Sequence, residues 1–244
     1  MPLHFFKLFL QDIIMLLRDK YAPASLADVI YPNSATQMRV NAYVSGAFSG
    51  NIIFHGSNGT GKSSVANLLP YAIDGMDAHV ETKSFDELME IKDLNGYIKR
   101  LASIVRISQG SKYFLVMHEM DNLKGRAYKL WTAIDDVADD IMLIITTNEP
   151  AKIHKSLLSR CKLIEFPAVS PSAFLARAQY ILKAEGVALS NAEVLGHLNE
   201  RKHLGDMRSY FDVLDDLVFI QPQGIPAPKP VKPAKPKKPP LRVV

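Results

Sequence analysis

Gly56, Gly61, Lys62 and Ser63 stand in the stretch "NIIFHGSNGTGKSSVANLL" at the spacing G-x-x-x-x-G-K-[ST]. Each residue type has a job at that spacing. Glycines let successive backbone N–H groups turn inward and form a nest for phosphate, and the helix that follows adds its positive N-terminal end. Lys62 reaches the β- and γ-phosphates, and the Ser63 hydroxyl is placed to ligate Mg²⁺. The whole turn, with Ser57, Asn58, Gly59, Thr60 and Ser64, is therefore the candidate binding loop for a nucleoside triphosphate such as ATP with Mg²⁺. A hydrolase also needs acid at the end of a neighbouring strand to handle the metal and the water. "YFLVMHEMDNL" offers His118, Glu119 and Asp121 beyond an apolar run; Glu119 is the candidate to polarise the attacking water and a second candidate near Mg²⁺.

These residues need a scaffold that carries strand ends to one side. Apolar or β-branched runs at 51–55, 78–82, 113–117, 141–146 and 162–166 predict strands, and most are apolar along their whole length, as in a parallel sheet covered on both faces. Helical patterns separate them at 61–72, 84–107 with a break expected at Gly96, 124–138 and a short turn near 153–158. Alternation of the two predicts a doubly wound α/β domain. After "FPAVSP" only helices remain, at 171–185, 191–201 and 205–219, with Gly186 and Gly205 as stops. The expected division is an N-terminal amphipathic extension (1–14), an α/β nucleotide-binding domain (15–168), a helical lid (169–220) and a Pro/Lys-rich tail (221–244).

Charge must be split along the chain to be informative. Six of the 29 Lys/Arg and none of the 25 Asp/Glu lie in 221–244, so residues 1–220 carry 23 against 25, a net of −2. The body is thus not a basic nucleic-acid module, whereas the tail is a polycation whose eight prolines predict an extended, polyproline-like segment. A single cysteine, Cys161, excludes an intramolecular disulfide and suits a reducing, intracellular compartment. Lys7, Gln11 and Asp12 interrupt the apolar N-terminus, leaving runs far short of the ~20 residues of a membrane span. An amphipathic helix packing on protein is expected there, and no membrane partner.

Further landmarks are Asn148 in "TTNEP", Arg160 in "SRC" and Arg208 in "GDMR". Alone, such arginines more often make surface ion pairs and such an asparagine a turn. Their order, with "DKYAPASLADVIYP" (19–32) before the glycine loop, resembles the AAA+ ATPases, and among them the small ATPase subunits of sliding-clamp loaders of the replication factor C and phage type. The resemblance implies a five-stranded P-loop domain with a three-helix lid. Asn148 would help position water, Arg208 would report the γ-phosphate from the lid, and Tyr21, Val29 and Ile30 would line the adenine pocket. Arg160 would enter the ATP site of an adjacent AAA+ subunit, identical or paralogous, so that the competent state is an oligomer. A sliding clamp and primed DNA are the implied partners, with Lys83, Lys99, Arg100, Arg106, Lys124 and Arg126 as candidate DNA contacts. A replisome or nucleoid location, or a virus-encoded protein in a host cell, follows.

Two departures are visible. His118 replaces the Walker B aspartate, and a neutral imidazole is a poor partner for hard Mg²⁺. Slow or partner-dependent hydrolysis is therefore expected, with Asp121 as partial compensation. No helical collar pattern follows residue 220, so assembly is expected to rest on the ATP interfaces, the N-terminal extension or another protein. Alternative roles are a weakly hydrolysing, nucleotide-gated structural subunit, or AAA+ work in helicase loading or recombination.

Overall fold

The computed structural model describes residues 16–108, 111–120 and 127–220. The N-terminal extension, the Pro/Lys tail, Asp121, Lys124 and Arg126 lie outside the described residues. Five parallel strands form the sheet: β1 (Asn51–His55), β2 (His79–Thr82), β3 (Tyr113–Met117), β4 (Ile141–Thr147) and β5 (Cys161–Glu165), in the order β2-β3-β4-β1-β5. In register, Ile53 lies opposite Ile145 on β4 and Leu163 on β5, and Leu115 opposite Leu143.

Side chains alternate between the two faces of this sheet. Ile53, Leu115, Met117 and Ile145 enter one core cluster, with helices α5 (Leu94–Ser108) and α6 (Ala127–Asp135). Ile52, Phe54, Phe114, Val116 and Ile144 enter the other, with α2 (Ser34–Val44) and α3 (Lys62–Asp74). Both sets are buried, which is why the central strands read as continuous apolar runs.

Between β2 and β3 the chain breaks at residues 90–93, before Gly96. Ser84 and Glu87 form a capping box that starts the short α4 (Phe85–Met89), and the Asp93 carboxylate then accepts the Gly96 N–H at 2.9 Å to begin α5. Two local caps thus replace one long helix.

Helices α8 (Pro171–Ala184), α9 (Asn191–Glu200) and α10 (Met207–Ile220) have a core of their own, around Phe174, Ile181, Leu198, Tyr210 and Leu214. The first turn of the described chain, α1 (Leu17–Lys20), joins this lid cluster: Leu17 is buried in it, and its N–H donates to Asp215 at 3.0 Å. α7 (Lys155–Leu158) is a single turn between β4 and β5.

Candidate nucleotide site

The carboxyl end of β1 runs into the glycine loop, and Gly61 caps α3. At Gly56 a Cβ would stand 2.1 Å from the Phe166 carbonyl oxygen, so β5 and the loop approach as closely as only glycine permits. Thr60 Oγ1 donates to the Ser57 carbonyl at 3.0 Å and stiffens the turn. Lys62 is buried, and its Nζ donates to the carbonyls of Gly56 (2.8 Å) and Ser57. Gly56 and Ser57 therefore hold the lysine head from beneath, while residues 58–64 face the cavity.

That cavity measures about 300 Å³ and is lined by the glycine loop, two strand ends, the N-terminal segment and the lid. The loop forms its floor, with Ser63 exposed at the first turn of α3. Glu119 and Asn148 enter from the ends of β3 and β4, Tyr21, Val29 and Ile30 from the N-terminal segment, and Arg208 from the lid. Of the glycine-loop residues and Tyr21, Val29, Ile30, Glu119, Asn148, Arg160 and Arg208, all but Gly56, Ser57 and Arg160 line this one space.

Tyr21 is fixed on several sides. Its hydroxyl donates to Glu185, which also pairs with Lys20 at 2.8 Å, and its ring meets Tyr180 edge-on at 6.2 Å. Burial, with the Glu185 contact, pushes its phenol well above the ordinary value. Arg177 of α8 donates to the Tyr21 carbonyl at 2.8 Å. Arg177, Phe211 and Thr146 were not legible as site residues, since no motif marks them; only folding brings them to the cavity.

The lid rests directly on the glycine loop. The Met207 N–H donates to the Gly59 carbonyl at 3.1 Å, and Asp206 Oδ1 accepts the Arg208 N–H at 2.8 Å, capping α10. Gly59 has φ of +66°, and a Cβ there would lie 1.4 Å from Asp206 Oδ1. Glycine is thus required both by backbone conformation and by lid contact.

Behind Glu119 lies a polar relay that the sequence did not announce. Glu119 is the one non-glycine residue with positive φ (+54°) among the described residues, and its N–H donates to Thr146 Oγ1 at 3.2 Å. The same hydroxyl lies 3.3 Å from His118 Nδ1, and His118 Nε2 lies 2.9 Å from Asn67 Oδ1 on α3. One assignment satisfies every atom: Nε2–H donates to Asn67, and Nδ1 accepts from Thr146, whose oxygen accepts from Glu119. Burial lowers the His118 pKa, favouring this neutral ring. His118 does not line the cavity. It braces the turn that presents Glu119.

Arg160 stands elsewhere, exposed just beyond α7. It grips Asp135 at the end of α6 through Nε (2.8 Å) and Nη2 (2.7 Å). Cys161 beside it is half-buried, and that desolvation pushes its thiol up to about 12 and leaves it protonated. Of the proposed DNA contacts within the described residues, Lys83 pairs with Glu81 (3.0 Å), Lys99 with Asp136 (3.6 Å) and Arg106 with Asp140 (2.5 Å).

The donor set suits a polyphosphate with Mg²⁺. Loop amides, Lys62 and Arg208 supply positive charge, while the Ser63 hydroxyl and the Glu119 carboxylate open on the same space, which Asp19 and Asp28 of the N-terminal segment also line. Mg²⁺ typically takes few protein ligands and keeps water and phosphate oxygens. No group of three or more His, Cys, Asp or Glu that could hold a metal ion is found among the described residues.

Residues 52–168 match the model of the ATPase family associated with various cellular activities (AAA). The chain is 26% identical over 229 residues to replication factor C subunit 4 of Encephalitozoon cuniculi, covering 89% of this chain and 72% of that one. It is 24% identical over 202 residues to replication factor C small subunit 1 of Pyrobaculum islandicum, covering 80% and 60%. Against the replication factor C small subunit of Aeropyrum pernix it is 26% identical over 210 residues, covering 84% and 63%. The chain thus spans between 60% and 72% of the length of these relatives.

Proposed function

We propose that the chain is an ATPase of the AAA family, which its residues 52–168 match, and that it serves as an ATP-binding and ATP-hydrolysing subunit of a clamp-loader-like assembly, coupling ATP to engagement of a sliding clamp and primed DNA. One observation supports the reading: the residues proposed for phosphate binding, water activation and sensing, from the loop, two strand ends and the lid, open on one cavity. A space walled by both the sheet domain and the lid makes ligand occupancy a determinant of how the two sit together. ATP binding then sets a gripping conformation, and hydrolysis releases it.

In the proposed site the loop amides and Lys62 hold the β- and γ-phosphates, and Ser63 holds Mg²⁺, which neutralises charge on the phosphates when bound. Glu119 takes a proton from the attacking water, and Asn148 orients that water. Arg208 contacts the γ-phosphate from the lid. Arg160, displayed on the surface, serves the site of the neighbouring subunit, where a guanidinium in trans is worth ~10³ to 10⁵ in rate in the systems where it has been studied. Tyr21, Val29 and Ile30 form the wall against which the adenine lies.

His118 shapes the rate. With its ring engaged by Asn67 and Thr146 it presents no acid toward a metal-bound water, so turnover by the isolated chain is slow and rises in the assembly. The same observation favours a second reading, a nucleotide-gated structural subunit that donates Arg160 and barely hydrolyses. No helix among the described residues is long and apolar enough to cross a membrane. The assigned setting is intracellular, at the replisome, in a cell or in a virus-infected host. ATPase assays with and without primed DNA and the cognate clamp decide between the readings: stimulation supports the clamp-loader role, and turnover flat at the unstimulated level with both present refutes it.

A further inference from the structure

The Arg160 guanidinium has five N–H donors. Nε and Nη2 make a side-on fork to the Asp135 carboxylate, at 2.8 and 2.7 Å, and Nη1 donates to the Ser156 carbonyl at 2.9 Å. Three donors are thereby directed at this chain's own atoms. One N–H remains on Nη1 and one on Nη2, and the Nη2 donor points away from the Asp135 fork. A phosphate approaching the guanidinium from outside the fork would still meet charged donors.

The Asp135–Arg160 pair is exposed on both sides, at 47% and 41%. Exposed pairs of this kind contribute little to folding stability and are screened by salt. What the pair does accomplish is order. An arginine on a surface turn otherwise samples many rotamers, and a group held within a fraction of an ångström of its working position can act without first being arranged. Asp135 closes α6 and Arg160 follows α7, so the fork also ties together the two helical ends beside β5.

We propose that Asp135 is a positioning residue: it and the Ser156 carbonyl hold Arg160 in the orientation in which it meets the nucleotide phosphates of the adjoining subunit. This rests on the reading of Arg160 as a residue acting in trans. The guanidinium in turn holds the Asp135 carboxyl below its ordinary range, so the fork persists through neutral and mildly acidic pH.

The test uses the full chain in its ATP-hydrolysing assembly and three variants. Asp135→Ala lowers kcat by at least about tenfold, in keeping with the cost of a misplaced catalytic group, and leaves KM for ATP unchanged. Asp135→Glu, which keeps a bidentate carboxylate, recovers most of the loss. Sedimentation with ATPγS and Mg²⁺ supplies a readout independent of turnover: nucleotide-dependent association is weaker for Asp135→Ala than for wild type. Thermal stability and ATPγS binding to the variant's own cavity stay at wild-type values, because Asp135 does not line it. Arg160→Ala separates the two levels. If it abolishes stimulated turnover while Asp135→Ala leaves both kcat and association intact, the positioning role is refuted and the trans role stands. A rise in kcat for Asp135→Ala also refutes positioning, since Asp135 would then be a restraint. If Arg160→Ala has no effect, the trans reading falls and the inference with it.

Discussion

Gly59→Ala separates two energies that meet at one residue. The first is conformational: φ of +66° places an L-residue in the left-handed region, at roughly 1–2 kcal/mol. That term acts on the folded state whatever the lid does, and at roughly 2–4 °C per kcal/mol for a protein of this size it lowers Tm by about 2–8 °C. The second is contact: a Cβ 1.4 Å from Asp206 Oδ1 forces either that side chain to turn away from the Arg208 N–H it caps at 2.8 Å, or the start of α10 to shift from the Met207–Gly59 hydrogen bond at 3.1 Å. One such bond is worth roughly 0.5–1.5 kcal/mol, which corresponds to a two- to twelvefold weaker Kd for a ligand that needs the lid in place, at about 1.4 kcal/mol per tenfold. Calorimetric titration with ATPγS and Mg²⁺ measures the second term, and thermal unfolding without nucleotide the first. Adding Asp206→Ala removes the obstructing carboxylate, so the double variant recovers affinity without recovering Tm. An unchanged Kd in Gly59→Ala would refute the claim that the lid–loop contact supports binding.

Three further outcomes follow from the relay behind Glu119. Glu119→Gln keeps the shape and removes the base, so ATPγS affinity is retained while assembly-stimulated hydrolysis falls ~10²- to 10⁴-fold; retained hydrolysis would remove Glu119 from its role. Thr146→Val leaves the Glu119 N–H and His118 Nδ1 without their shared hydroxyl, and costs roughly 1–3 kcal/mol in denaturant unfolding together with slower turnover. For His118, burial lowers the folded-state pKa beneath the unfolded value of 6.5, so its contribution to stability is complete above 6.5 and is lost as pH falls through the lower folded value. The stability difference between wild type and His118→Gln therefore shrinks on acidification below about pH 6.5. His55, also lowered by burial, is common to both proteins and cancels. A pH-independent difference would show that the ring is not held neutral by the relay.

Legibility from sequence followed how local each determinant is. The central strands were readable because Phe114, Val116, Ile144 and Ile145 are buried on opposite faces of one covered sheet, which removes the polar alternation of a half-exposed strand. The glycine loop was readable because phosphate binding by backbone amides needs glycine at fixed short spacing. The break between α4 and α5 was misplaced to Gly96, because the capping box at Ser84 and the Asp93 cap outweigh one glycine's poor propensity. Asn148 and Arg208 are single residues with no local signature, and only motif order pointed to them before the fold brought both to the cavity. The partners that spatial proximity alone creates stayed hidden. Asn67 and His118 are 51 residues apart, and Tyr21 and Arg177 are 156 apart. Asp135 carries no motif at all, and its meaning appears only once α6 and α7 are seen to end side by side.

The central claim is that the loop and Lys62 grip the triphosphate of ATP. Binding of ATPγS with Mg²⁺ to the purified full chain, wild type against Lys62→Ala, tests it most directly. Because Lys62 Nζ already sits on the carbonyls of Gly56 and Ser57, its transfer to phosphate needs little rearrangement, and a charged hydrogen bond is worth roughly 1.5–3 kcal/mol. The wild type then binds saturably, and Lys62→Ala has a Kd weaker by about ten- to 150-fold. Absence of binding by the wild type, or equal affinity in the two proteins, would contradict the claim.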